Sequence, residues 1–249
     1  MPIKPKKTSR VESILEDQVV RWQQRIDRRK KAPAAKPPVI TISRQPGVPY
    51  DSLIAELASS LNLDVFDKEI INAVAESVKM SEKVVAALDE KTRSALDSWL
   101  EVLRSNRYLL PDTYLIHLTK VIGAIGEQGG AIIIGRGANI ILPPDTTLRI
   151  RLVAPLGTRI ANMSKEGQVS SIDEAQRFIS KKEAEQRAYM RKYFEVDIDD
   201  PVQYDLVINS QYLPEEQIVS IIKSALKQKP GPKRRRFDED QQQPSKMTS

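Results

Sequence analysis

Arg136 stands between Gly135 and Gly137, directly after the apolar run Ala131-Ile132-Ile133-Ile134. A guanidinium at a strand's end can make a two-pronged contact to a phosphate, and flanking glycines let backbone and ligand approach closely. The same arginine could instead pair a carboxylate at the strand end. Arg187 and Arg191 lie four residues apart, on one face of a predicted helix. Read on their own, they form a solvated basic face with Glu183 and Glu185 as partners. The chain has no cysteine and one histidine, His117. Disulfides, thiolate nucleophiles and multi-histidine metal sites are thereby excluded, and a Ser-His-Asp triad would depend on that single residue. His117 reads as a packed or surface histidine rather than a catalyst. What remains is chemistry run by Lys, Arg, Asp and bound Mg²⁺, of which phosphoryl transfer is the main case.

The elements that must position these groups alternate in type. Val39 to Ser43, Leu63 to Phe66, Ala131 to Ile134, Thr147 to Val153 and Asp205 to Asn209 are short, apolar, β-branched-rich runs. Such runs suit strands buried on both faces. Helical patterns separate them: one with Leu53, Ile54, Leu57 and Leu61, a long one from Asp67 to about Gln128 broken near Pro111, one from about Ser171 to Phe194, and one from Pro214 to Lys227. Alternation of this kind predicts an α/β fold with a five-stranded parallel sheet covered by helices on both faces. Such sheets bind ligands at the C-terminal ends of their strands. The candidate positions are therefore Ser43–Ser52, Asp67, Arg136 and the loop after Val153.

Three segments together resemble the cytidylate kinase-like family, a branch of the P-loop nucleoside monophosphate kinases. They are Ile40-Thr41-Ile42-Ser43-Arg44-Gln45-Pro46-Gly47, Ile132-Ile133-Ile134-Gly135-Arg136-Gly137-Ala138-Asn139, and Arg187 to Phe194 followed by Tyr204-Asp205-Leu206-Val207-Ile208-Asn209. The resemblance covers about residues 38–227. It implies a three-layer P-loop kinase-like fold with a helical lid, and transfer from ATP, with Mg²⁺, to a CMP-like acceptor. It implies that Arg136 holds the acceptor phosphate, with Asp67 and Arg159 also on the substrate side. Arg187 and Arg191 match the lid arginines, which stabilise charge on the transferring phosphoryl group. Gly47 and Ser52 match the cofactor-binding loop. No residue is singled out as a metal ligand.

The loop departs from the family pattern Gly-Ser-Gly-Gly-Arg-Glu, reading Gly47-Val48-Pro49-Tyr50-Asp51-Ser52. A phosphate loop works by turning successive backbone N–H groups toward the ligand. Pro49 has no N–H, Val48 resists positive φ, and Asp51 puts a negative charge where the family has a basic one. At about 4 Å that charge costs a phosphate oxygen roughly 1–4 kcal/mol. Ser52 could touch Mg²⁺ or merely cap the next helix. In the lid, Ala184 stands where the family has an aspartate that helps to hold the acceptor ribose. These departures open an alternative: a catalytically inactive nucleotide- or anion-binding pseudokinase acting through protein partners.

The net charge is +6, and it is unevenly placed. Residues 1–37 carry 11 Lys/Arg and 4 Asp/Glu, residues 228–249 carry 6 and 3, and residues 38–227 carry 22 and 26. The tails can touch polyanions without sequence preference; the acidic core does not read as a nucleic-acid binder. The organisation expected is a basic extension over 1–37, a kinase-like domain over 38–227 and a disordered basic and polar tail over 228–249. The extension holds a helix from Ser9 to about Lys31, with Leu15, Val19, Trp22 and Ile26 on one face, and then a Pro-rich linker. That helix either packs on its own domain or meets a partner or a second copy. No secretory signal and no 18-residue apolar run is present, so a cytoplasmic, non-membrane location is expected.

Overall fold

The computed structural model describes residues 37–229 apart from 77, 87, 89, 91, 92, 95, 96, 99, 100, 102–112 and 168, with isolated positions 20 and 24. The helix expected at 9–31, the break expected near Pro111 and the tail beyond 229 lie outside the described residues.

Five strands form one parallel sheet in the order β2-β3-β1-β4-β5. They are β1 (Val39–Arg44), β2 (Asp64–Phe66), β3 (Ala131–Ile134), β4 (Thr147–Val153) and β5 (Leu206–Asn209). The helices are α1 (Asp51–Leu61), α2 (Lys68–Glu76), α3 (Val78–Ala86), α4 (Thr113–Gln128), α5 (Ala138–Ile141), α6 (Leu156–Lys165), α7 (Ile172–Phe194) and α8 (Glu215–Gln228). A 3₁₀ turn at Pro201–Gln203 precedes β5.

Alternation along β1 and β3 explains the three layers. Val39, Ala131 and Ile133 turn to a core filled by Ile71, Leu115, Leu118, Ile122 and Phe194. Their neighbours Ile40, Ile42, Ile132 and Ile134 turn to the opposite core, with Leu53, Leu57, Ile218 and Ile222. Successive side chains of a strand point to opposite faces, so an unbroken apolar run feeds both cores. Met163, Ala175 and Ile179 form a third, smaller cluster that joins α6 to α7.

Several boundaries differ from the sequence reading: β1 runs on to Arg44, and β5 begins at Leu206 rather than Asp205. Leu63 does not open β2, because its N–H closes α1 on the Ala58 carbonyl at 2.9 Å. Asn62 takes the left-handed cap position before it, at φ 52. The segment after Val153 is not only a loop. It forms α6, started by Pro155 at the N-cap.

Both ends of the described domain sit at the N-terminal edge of the sheet. Gly130 donates to the Pro38 carbonyl at 2.9 Å, beside the start of β1. Lys229 reaches the Thr147 carbonyl and, at 2.5 Å, the Asp205 carboxylate. Thr147 is the ladder partner of Val39. Among the described residues no helix is long and apolar enough to cross a membrane.

Candidate functional site

The end of β3 makes an unusual turn. Gly135, Arg136 and Gly137 all have left-handed backbone, at φ 73, 54 and 69. A Cβ at Gly137 would lie 2.3 Å from the Phe194 ring, so the close packing of α7 on the turn requires glycine there. Arg136 has no such freedom, and a left-handed non-glycine residue costs about 1–2 kcal/mol. Its Nε is buried without a hydrogen-bond partner, and its guanidinium lies 5.3 Å from the centroid of the Tyr189 ring. Among the described residues it pairs with no carboxylate, so the strand-end ion pair that was the alternative for Arg136 is not made.

Asp67 ends β2 as expected and caps α2, its Oδ1 accepting from the Ile70 N–H at 2.9 Å. Across from it the Tyr114 hydroxyl donates to Asn72 Oδ1 at 2.7 Å, joining α4 to α2. His117 is half-buried between α3 and α4, its Nδ1 3.2 Å from the Ser81 hydroxyl.

The loop from β1 to α1 is held by its carbonyls. Arg44 Nη1 donates to Val48 O at 3.3 Å, Asn162 to Gly47 O at 3.2 Å, and Arg159 Nη1 to Pro46 O at 3.2 Å. Gln186 reaches Arg44 O at 3.5 Å. The Val48 N–H is engaged with Gln45 O at 3.2 Å, and the Val48 side chain is buried in the core. Gly47 has φ +84, and a Cβ there would come within 2.9 Å of Arg159. The Arg44 guanidinium stacks 4.0 Å from the Tyr50 ring centroid. Tyr50 is the N-cap of α1 and supplies no side-chain cap; Asp51 occupies the first turn. Ser52 is exposed. Triphosphate oxygens need inward N–H groups and cations. The carbonyls of this loop are turned to its neighbours' donors, Pro49 brings no N–H, and Asp51 places a carboxylate at the helix start. Among the described residues no group of three or more His, Cys, Asp or Glu could hold a metal ion.

Arg159 is buried and makes three hydrogen bonds. Nε donates to Ala154 O at 2.9 Å, and Nη1 to Pro46 O at 3.2 Å and to Glu183 at 2.8 Å. It thus ties α6, the loop and α7 together. Arg187 donates to Asp199 at 3.0 Å and lies 3.8 Å from Glu183. Asp199 also accepts from Arg151 at 2.9 Å, and Arg151 donates to the Ser43 hydroxyl at 2.7 Å. A relay of alternating charge therefore runs from the end of β1 to α7 and back to the loop. Glu185, one of the two partners offered for Arg187 and Arg191 as a solvated basic face, pairs with Lys182 at 2.7 Å. Arg191 is exposed and makes no ion pair among the described residues. The structure brings Gly47 and Arg159 together, places Arg187 in the relay, and leaves Arg136 and Asp67 on the β2–β3 side.

Sequence reasoning missed Arg151 and Asp199. The signal was present in Thr147-Leu148-Arg149-Ile150-Arg151-Leu152-Val153, where two arginines interrupt an apolar strand. Burial by itself would raise the pKa of Asp199, but hydrogen bonds and charge from Arg187 and Arg151 outweigh it and hold the carboxyl below its ordinary value. Asp205 behaves likewise: burial is outweighed by Arg149 and Lys229. A folded-state pKa below the unfolded one gives stability above the unfolded value, about 3.9, that is lost as pH falls through the folded one. We expect the melting temperature to hold from pH 7 to about 5 and to drop steeply below about 4. Asp205→Asn should lower it at pH 7 and flatten the acid limb. An acid limb identical to that of the unmodified protein would show that Asp205 is not responsible.

Residues 39–212 match the model of the cytidylate kinase-like family. The chain is 28% identical over 200 residues to a cytidylate kinase from Methanosarcina barkeri, covering 78% of this chain and 98% of that protein. It is 27% identical over 201 residues to a cytidylate kinase from Methanopyrus kandleri, covering 76% and 92%. A solved structure of an uncharacterized protein from Eubacterium ventriosum superposes with a TM-score of 0.58 at 19% identity, over 77% of this chain and 99% of that one. At that identity the likeness concerns the fold alone, a parallel five-stranded sheet covered by helices. The sequence match runs from β1 past the end of β5 and includes the Gly-Arg-Gly turn, and the chain belongs to the cytidylate kinase-like family.

Proposed function

We propose that this protein is a nucleotide-binding member of its family that holds a CMP-like nucleoside monophosphate at Arg136 and lacks a working cradle for ATP. The observation that carries this reading is the loop. Pro49 has no N–H to offer, Asp51 puts a carboxylate at the start of α1, and the carbonyls of Pro46, Gly47 and Val48 are held by Arg159, Asn162 and Arg44. On the acceptor side Arg136 has no carboxylate partner and an unused buried Nε. A cation in that state is suited to a phosphate, and Asp67 at the neighbouring strand end lines the same side. Such a protein would act by binding, through protein partners, rather than by turnover.

A second reading is favoured by the cytidylate kinases to which the chain is similar. It is phosphorylation of the monophosphate by ATP with Mg²⁺, with Gly47 and Ser52 at the cofactor, Arg159 at the substrate and Arg187 and Arg191 at the transferring group. It requires the remaining N–H groups of the loop and of the first turn of α1 to face the donor phosphates despite Pro49 and the Asp51 carboxylate. Separate calorimetric titrations decide between the two. We expect a monophosphate to bind tighter than about 1 mM and ATP not to reach that affinity, a threshold of about −4 kcal/mol. Val48→Ser, Pro49→Gly, Tyr50→Gly and Asp51→Arg together should raise ATP affinity, at some loss of stability because Val48 is buried. Ordinary turnover of CMP by the unmodified protein would refute the reading that it lacks a working cradle for ATP.

A further inference from the structure

Buried polar atoms nearly always find a hydrogen-bond partner, so those that do not call for an explanation. Nε of Arg136 and the hydroxyl of Tyr189 are two such atoms, and they belong to side chains in contact. We propose that Tyr189 is the second donor of the anion site, its hydroxyl and the Arg136 guanidinium together taking the oxygens of a phosphate monoester. This rests on the reading of Arg136 given above.

The surroundings support it. The Tyr189 ring is fixed by Tyr193, with centroids 5.0 Å apart, and by Phe194 at 6.0 Å. Phe194 in turn packs against Gly137, so the last turns of α7 hold Tyr189 against the Gly-Arg-Gly turn. The left-handed backbone of that turn stores strain at Arg136, and strain of this kind gathers at ligand clamps. The amides of Arg136 and Gly137 carry no partner among the described residues, so two more donors lie in the same turn. Burial raises the pKa of the Tyr189 hydroxyl, with the nearby Tyr114 adding to the rise and Arg136 opposing it. The group therefore stays protonated and able to donate. A neutral donor beside an unpaired cation suits a doubly charged phosphate, which needs several hydrogen bonds and one strong charge. Both atoms lie beneath the surface, so ligand entry requires the end of α7 to lift from the turn.

Tyr189→Phe isolates the hydroxyl, keeping the ring, its packing and its face toward Arg136. The full chain would be titrated with CMP, inorganic phosphate and cytidine, and its melting temperature measured. We expect CMP and phosphate to bind at least about tenfold more weakly to the variant, the scale of one hydrogen bond to a charged group. Cytidine affinity should not change, and the melting temperature should stay level or rise, because an unsatisfied buried hydroxyl is removed. Wild-type CMP affinity in the variant overturns the proposal, and so does an equal loss for cytidine, which would place Tyr189 at the base. Failure of the unmodified protein to bind CMP or phosphate would instead defeat the reading of Arg136 on which it rests.

Discussion

Arg159→Met should lower the melting temperature by roughly 6–12 °C, corresponding to about 3 kcal/mol for a domain of this size. The substitution keeps an apolar stem of similar length and removes the charge. It leaves Glu183, whose side chain is only 19% exposed, without its close partner. It also leaves the carbonyls of Pro46 and Ala154 without a donor. Breaking one side of a buried ion pair costs more than the pair is worth, because the remaining charge stays behind. The double variant Arg159→Met, Glu183→Gln should therefore be more stable than the sum of the two single changes predicts. Thermal unfolding followed by circular dichroism would check both. A shift under about 2 °C for Arg159→Met would mean that the loop is held by its other contacts and that Arg159 is free for a ligand.

Arg136→Lys should weaken monophosphate binding about 10- to 100-fold with little change in melting temperature. Lysine keeps the positive charge but loses the planar fork that meets two phosphate oxygens at once. Its backbone strain at φ 54 is the same as that of arginine, so the fold has no reason to respond. Unchanged affinity together with a large fall in melting temperature would make Arg136 a structural residue. The pair of variants separates the two arginines: one is expected to report on stability, the other on ligand.

The strands were legible because their residues leave little choice. Ala131-Ile132-Ile133-Ile134 and Val39-Ile40-Thr41-Ile42 are too apolar and too β-branched for a surface, and both are buried. The position of Arg136 at a strand end was legible for the same reason. The relay was not. Arg151 and Asp199 are 48 residues apart, and their pairing depends on how the segment after α7 returns to β4. No local period encodes that return. The loop was half legible: Pro49 and Asp51 stood out as departures from the family pattern, but nothing in the sequence said that Asn162, Arg159 and Arg44 would claim its carbonyls. Helix α6 was under-read because Pro155 and Gly157, at its start, are also turn residues. Tyr189 lay within a quoted motif, and only its unsatisfied hydroxyl drew it out.

The placement of the two ends of the domain has a consequence for how the chain can be reconnected. Pro38 enters at β1, and Lys229, at the end of α8, reaches with its side chain to Thr147 on β4, which lies opposite Val39, about 5 Å away across the ladder. Arg136, Asp67 and the β1–α1 loop are at the other pole, beyond the C-terminal ends of the strands. The described chain thus begins and ends at one edge of the sheet, and the candidate site residues lie at the opposite edge. The same geometry makes the domain suited to circular permutation, because a short splice could join its ends and new ends could be cut into an exposed loop.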